Sequence, residues 1–230
     1  MKALSLTAVL AITLLMAATS ASALTVDHFN GTTIFNLITS GSAPGPISQT
    51  DPYNASTNPL AIGAGSSRTE TLVQATSDSN NPSDGSNAAH TPTSNTDLDL
   101  NNAVRCSSDL TLAYTFGATS FTAGAQNALE ILYGAADQSG ETAIMTVTDG
   151  THTSTLTETT TGTGNSTLDF LYSSFVGSAN FGALTRLTVA FDSTVAGDYE
   201  LDAIQTVPEP ATMSLLGLGL VGLIARRKKA

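Results

Sequence analysis

Residues 143–158 read AIMTVTDGTHTSTLTE. Apolar and polar side chains alternate on both sides of Asp149-Gly150. A period of two sends successive side chains to opposite faces of a strand, so each arm has one apolar face and one wet face. Asp-Gly between two such arms predicts a two-residue hairpin, because both residues tolerate the positive φ of a type I′ turn. That register sets Val147 opposite His152 and Met145 opposite Ser154. Met145, Val147 and Leu156 then share the buried face, and Thr146, Thr148, Thr151, Thr153 and Thr155 line the other.

The same short alternation recurs along the chain between Gly-, Asn- and Ser-rich turns, and no long amphipathic helix interrupts it. With the two hairpin arms included, strands are predicted at residues 24–30, 32–38, 68–75, 109–116, 128–133, 142–148, 151–158, 167–172, 185–191 and 199–207. About ten short strands in one domain give an all-β fold, a single β-sandwich with jelly-roll-like topology. Residues 40–59 and 76–102 are rich in turn formers and read as long surface loops, the second with a short strand near 98–100.

The two ends differ from this body. MKALSLTAVLAITLLMAATSASA opens with Lys2, continues as an apolar run and ends on Ala21-Ser22-Ala23, the A-x-A pattern of a secretory signal peptide cut after Ala23. The last stretch, VPEPATMSLLGLGLVGLIARRKKA, joins Pro208-Glu209-Pro210 to a 15-residue apolar run, 211–225, and then to Arg226, Arg227, Lys228 and Lys229. As a helix that run covers roughly 22 Å, a short span for a hydrocarbon core of about 30 Å. The four cations hold their end in the cytoplasm, which leaves the body outside the inner membrane. The domains are therefore a signal peptide at 1–23, a sandwich body at 24–206 and a tail at 207–230 with a transmembrane helix and a basic end at 226–229. Gly217, Gly219 and Gly222 spell G-x-G-x-x-G, but no strand-turn-helix unit surrounds them, so a dinucleotide site is set aside.

The tail closely resembles the PEP-CTERM sorting signal of exported bacterial proteins. It carries the Pro-Glu-Pro, the short apolar helix and the basic cluster in that order. The resemblance implies an exosortase as processing partner, with cleavage near Pro208-Glu209-Pro210. It also implies transient anchoring in the inner membrane, then delivery to the cell surface or matrix of an exopolysaccharide-producing Gram-negative bacterium, often in a biofilm or floc. The family shares its tail and not its body, so no catalytic residue carries over. Within the body, Asp27-His28-Phe29 and Leu201-Asp202-Ala203-Ile204 resemble motifs of PEP-CTERM proteins with lectin-like sandwiches.

The chain has a net charge of -11, and the body's only cations are Arg68, Arg105 and Arg186. Such a surface repels polyanions, which excludes nucleic acid as a partner. Cys106 is the one cysteine, so the fold is held without an internal disulfide, and Cys106 reads as a small core side chain. His28, His90 and His152 have no partner at metal-ligand spacing, and GAGSS at 63–67 only looks like a nucleophile elbow. Calcium is the one cofactor the residues offer. Asp78, Asp84, Asp97 and Asp99 lie in the Asn/Asp-rich loop, and Asp97 and Asp99 share a face if that piece is extended. Glu130, Glu141, Glu158 and Glu200 are the carboxylates a glycosidase would draw on. The reading is a non-enzymatic, structural or glycan-binding surface protein; the alternative is a secreted hydrolase of polysaccharide.

Overall fold

The computed structural model describes residues 23–29, 47–51, 66–76, 86–90, 97–123 and 125–208. Among them the chain runs through β1 (Thr25–Asp27), β2 (Ile47–Asp51), β3 (Ser67–Thr76), β4 (Ser86–His90), β5 (Leu98–Asn102), β6 (Ser107–Thr119) and β7 (Gln126–Ala136). It continues through β8 (Thr142–Thr148), β9 (Thr153–Thr159), β10 (Ser166–Leu171), β11 (Val176–Gly177), β12 (Leu184–Asp192) and β13 (Tyr199–Pro208). The described residues are all-β, with one 3-10 turn at Tyr172–Ser174 and no helix long and apolar enough to cross a membrane. The signal peptide up to Ser22 and the tail after Pro208 lie outside the described residues.

The strands form two antiparallel sheets. One runs β10-β7-β13-β5-β4, with β1 also on β13. Strand β13 pairs with β7 along its length, while β5 takes Tyr199 to Leu201 on its other edge and β1 takes Ile204 and Gln205. The other sheet runs β11-β9-β8-β12-β6-β3-β2. The alternation dictates the core between them. Leu110, Leu112 and Tyr114 of β6, Met145 and Val147 of β8 and Leu187, Val189 and Phe191 of β12 are buried, as are Leu129, Ile131 and Tyr133 of β7 and Leu201 and Ile204 of β13. Phe191 crosses the gap to meet Tyr133 edge-on at 6.4 Å and Tyr199 at 5.5 Å between ring centroids. Cys106 is free and fully buried.

Strand β8 covers the predicted residues, but its hairpin departs from the expected register. Thr148 pairs with Thr153, Val147 with Ser154 and Met145 with Leu156, so the loop has four residues and not two. The Asp149 side chain is the reason. Its Oδ1 accepts the N–H of Thr151 at 2.9 Å and of His152 at 2.7 Å, and its Oδ2 accepts the N–H of Asn180 at 2.9 Å. An aspartate that bonds its own downstream backbone competes with the tight turn. A shift of two keeps every side chain on its predicted face, except Thr151, which moves into the loop.

The two expected surface loops each contain a strand. β2 pairs with β3, and β4 pairs with β5. Both are edge strands, and neither ISQTD nor SNAAH carries a clear apolar alternation. The predicted strand at 32–38 lies outside the described residues.

Candidate functional site

Carboxylates collect on the outer face of the first sheet. Pairing of β5 with β13 puts Asp99 opposite Glu200. Asp97 precedes β5 by one residue and Asp202 follows Glu200 by two, so all four acids share this end of the sheet. One oxygen each from Asp97, Glu200 and Asp202 lies within 4.8 Å of the others. Burial, reinforced by Asp97, Asp99 and Asp202, pushes the Glu200 carboxyl up to about 7. Burial and the adjacent Asp97 likewise raise Asp202. A groove of about 170 Å³ continues from this cluster between Asp99, Asn101, Ala135, Asp137 and Asp198. The structure thus keeps Asp97 and Asp99 on one face and adds Glu200 and Asp202 from a strand a hundred residues away; Asp78 and Asp84 lie outside the described residues.

The outer face of the second sheet is a field of threonine. Across the strands run the rows Thr153–Thr148–Arg186–Thr115 and Thr155–Thr146–Thr188–Ala113–Thr69. Facing hydroxyls of β8 and β9 pair at 3.2 Å for Thr146 and Thr155, and at 3.3 Å for Thr148 and Thr153. At the β11 edge, exposed Val176 stands opposite Thr155. Nearby, the ring of Tyr172 stacks on Phe181 at 4.4 Å and Phe175 meets Phe181 edge-on at 5.1 Å. These three rings are half-buried against the core, and the Tyr172 hydroxyl donates to the Phe121 carbonyl at 2.8 Å.

A third polar group lies inside the sandwich, and sequence reasoning missed it. Arg68 of β3 is 3% exposed and holds Asp27 of β1 at 2.7 Å and Glu70 at 2.9 Å. The Tyr114 hydroxyl donates to the same Asp27 carboxylate at 2.9 Å, and Asp27 also accepts the Phe29 N–H at 2.8 Å. Burial opposes the arginine charge, but the Asp27 and Glu70 carboxylates outweigh it and hold the guanidinium ionised. The group ties the first sheet to the second through β1. One signal was available: Arg68 and Glu70 fall on the same alternating face as the buried Leu72.

The carboxylates of the hydrolase reading do not converge as one set. Glu141 is buried and accepts the N–H of Thr194 at 3.0 Å and its hydroxyl at 2.7 Å, which fixes a loop. Glu130 accepts from the Gln205 amide at 2.8 Å. Glu158 is on β9 of the second sheet, whereas Glu200 is on the first. His28 is half-buried beside β1, His90 is on β4, and His152 lies in the hairpin loop with its ring 3.3 Å from Asp149.

At the end of the body, Thr206 is fully buried and Pro208 closes β13 opposite Gln126. The Leu24 N–H donates to the Thr206 hydroxyl at 2.7 Å, and the Thr206 N–H to the Leu24 carbonyl at 2.8 Å. Of the predicted cleavage residues, Ala23 is exposed next to this pair and Ala21 lies outside the described residues, as do Glu209, Pro210 and the basic residues 226–229. Residues 206–229 match the family model of the PEP-CTERM protein-sorting motif. The chain carries a PEP-CTERM sorting signal. It begins on a buried strand of the body, without an intervening linker. The chain is also similar to the family 11 carbohydrate-binding module from Clostridium thermocellum in complex with a beta-1,3-1,4-mixed-linked tetrasaccharide. There the identity is 9%, the TM-score 0.42, and the match covers 83% of this chain and 98% of that one. It is similar to an agarase at 7% identity and TM-score 0.39, over 73% of this chain and 25% of that one. No curated protein matches the chain at a significant level.

Proposed function

We propose that this is an exported surface or matrix protein whose PEP-CTERM tail is processed by an exosortase-type enzyme and whose sandwich is non-catalytic, serving as a structural or glycan-binding unit. The sorting signal at 206–229 is the observation that carries this reading. The pair Leu24 and Thr206 supports it, because the predicted signal-peptide junction and the start of the sorting signal leave the body side by side. Both tethers then lead to one membrane while the body folds outside it, and the basic end at 226–229 fixes the tail's cytoplasmic side. For glycan contact, the rings of Tyr172, Phe175 and Phe181 beside exposed Val176 and the threonine rows offer an apolar platform next to hydroxyls.

The test is a pulse-chase in the native host with Pro208→Ala/Pro210→Ala, paired with affinity electrophoresis of wild type and Phe181→Ala through the host's exopolysaccharide. The account expects full-length anchored precursor from the proline variant and polysaccharide retardation of the wild type that the Phe181 variant loses. Maturation of the proline variant at the wild-type rate contradicts processing at the motif. Equal mobility with and without polysaccharide removes the glycan and leaves the structural role.

A further inference from the structure

The acidic end of the first sheet has a backbone made for it. Core-facing residues on β7 step from Tyr133 to Ala136, and on β13 from Leu201 to Ile204, three positions where a regular strand steps two. The irregularity lies at the same level of both strands, and the register is the same on either side of it. Such matched distortions re-aim side chains beside them. Here they carry Asp202 and Glu200 over Gly134. A β-carbon on residue 134 would overlap Asp202 Oδ1 and lie 2.9 Å from Glu200 Oε1. Gly134 therefore serves as room for the two carboxylates.

Asp97, one residue before β5, closes the cluster and is only 6% exposed. Among the described residues no N–H or O–H group outside the cluster donates to the side chain of Asp97, Glu200 or Asp202; Asp97 meets both of the others within hydrogen-bond reach. A buried carboxylate without a donor is costly. The buried Asp97 converging with the half-buried Glu200 and Asp202 calls for either protons or a cation. Oxygen-only, anionic donors select a hard divalent ion over zinc, which favours nitrogen and sulfur ligands. Calcium–oxygen bonds are about 2.3–2.6 Å, so oxygens that share one ion stand at most about 5 Å apart, and these three lie within 4.8 Å of one another.

We propose that Asp97, Glu200 and Asp202 form a calcium site that pins β5 to β13. The ion neutralises carboxylates that the chain itself leaves unpaired. It adds to a joint made by the pairing of Tyr199, Glu200 and Leu201 with β5 and by the bonds of Asn102 to Asp198 and Gly197. Through β5 it also fixes β4, which pairs with β5 at the sheet edge. The site stands whether or not the body binds glycan.

The test is thermal melting of full-length protein in detergent, stripped with chelator and titrated with calcium chloride, alongside equilibrium dialysis for stoichiometry. Asp97→Asn and Glu200→Gln are compared with wild type and with Asp169→Asn, an exposed acid on β10 outside the cluster. Wild type and Asp169→Asn should gain roughly 5–10 °C at a hundredfold excess over Kd. Asp97→Asn should lose that gain and melt above calcium-free wild type, because one like charge is gone. Dialysis should find one calcium per wild-type chain, a result independent of whether either variant folds. No bound calcium in the wild type, or a calcium response in Asp97→Asn equal to the wild type's, overturns the assignment.

Discussion

Two groups of carboxylates face opposite situations in this sandwich. Asp27 and Glu70 lie between the sheets and meet Arg68, with the Tyr114 hydroxyl as a further donor. Asp97, Glu200 and Asp202 lie on the outer face of one sheet and, among the described residues, meet one another and the further acid Asp99. The first group brings its cation within the chain, and the second has none among the described residues. The difference follows from position. A charge between two sheets is beyond the reach of solvent ions, so the chain must supply the counter-charge. A cluster on an outer face can draw its cation from the medium, which suits a protein carrying a C-terminal sorting signal.

The comparison is broken most forcefully at Arg68. Arg68→Met leaves Asp27 and Glu70 charged and buried, and removing one partner of such a pair costs about 3–5 kcal/mol. Urea unfolding of wild type and variant measures it; a loss below about 1 kcal/mol would mean that the internal group is not charge-balanced as described.

A milder like-charge contact lies on the threonine face, where Asp109 stands opposite Asp192. Burial and the Asp192 charge raise the Asp109 carboxyl above its ordinary value. A carboxyl raised in the folded state binds protons more tightly there than in the unfolded chain. Its destabilising contribution is absent at low pH and grows as pH rises past the ordinary carboxylate range. Asp109→Asn should therefore raise stability at pH 7 by at most about 1 kcal/mol, since Asp109 is half-buried and Asp192 is exposed, and by nothing near pH 3. Melting curves at the two pH values check the sign; a variant less stable than wild type at pH 7 would show that the carboxylate makes a favourable contact instead.

Much of this molecule is written in local alternation. Thr142 to Thr148 could be read as a strand because its period of two continues without a break, and the threonine rows follow from that same period. The hairpin register was less legible, because it depends on how the Asp149 side chain bonds the backbone around it. β2 and β4 were hidden because ISQTD and SNAAH carry no clear apolar face. For the acidic cluster, adjacency showed that Asp97 and Asp99 share a face. Nothing local links them to Glu200 and Asp202, which arrive only through the pairing of β5 with β13. The Arg68 group is long-range in the same way, joining residues 27, 68, 70 and 114.

Amide hydrogen exchange of the full-length protein, with calcium and with chelator, tests directly whether the two carboxylate groups are balanced by different means. Calcium should slow exchange at Leu98 to Leu100 and at their partners Tyr199 to Leu201, and leave Ser67 to Leu72 around Arg68 unchanged. Equal exchange in both conditions at β5, or slowing centred on β3, would contradict the account.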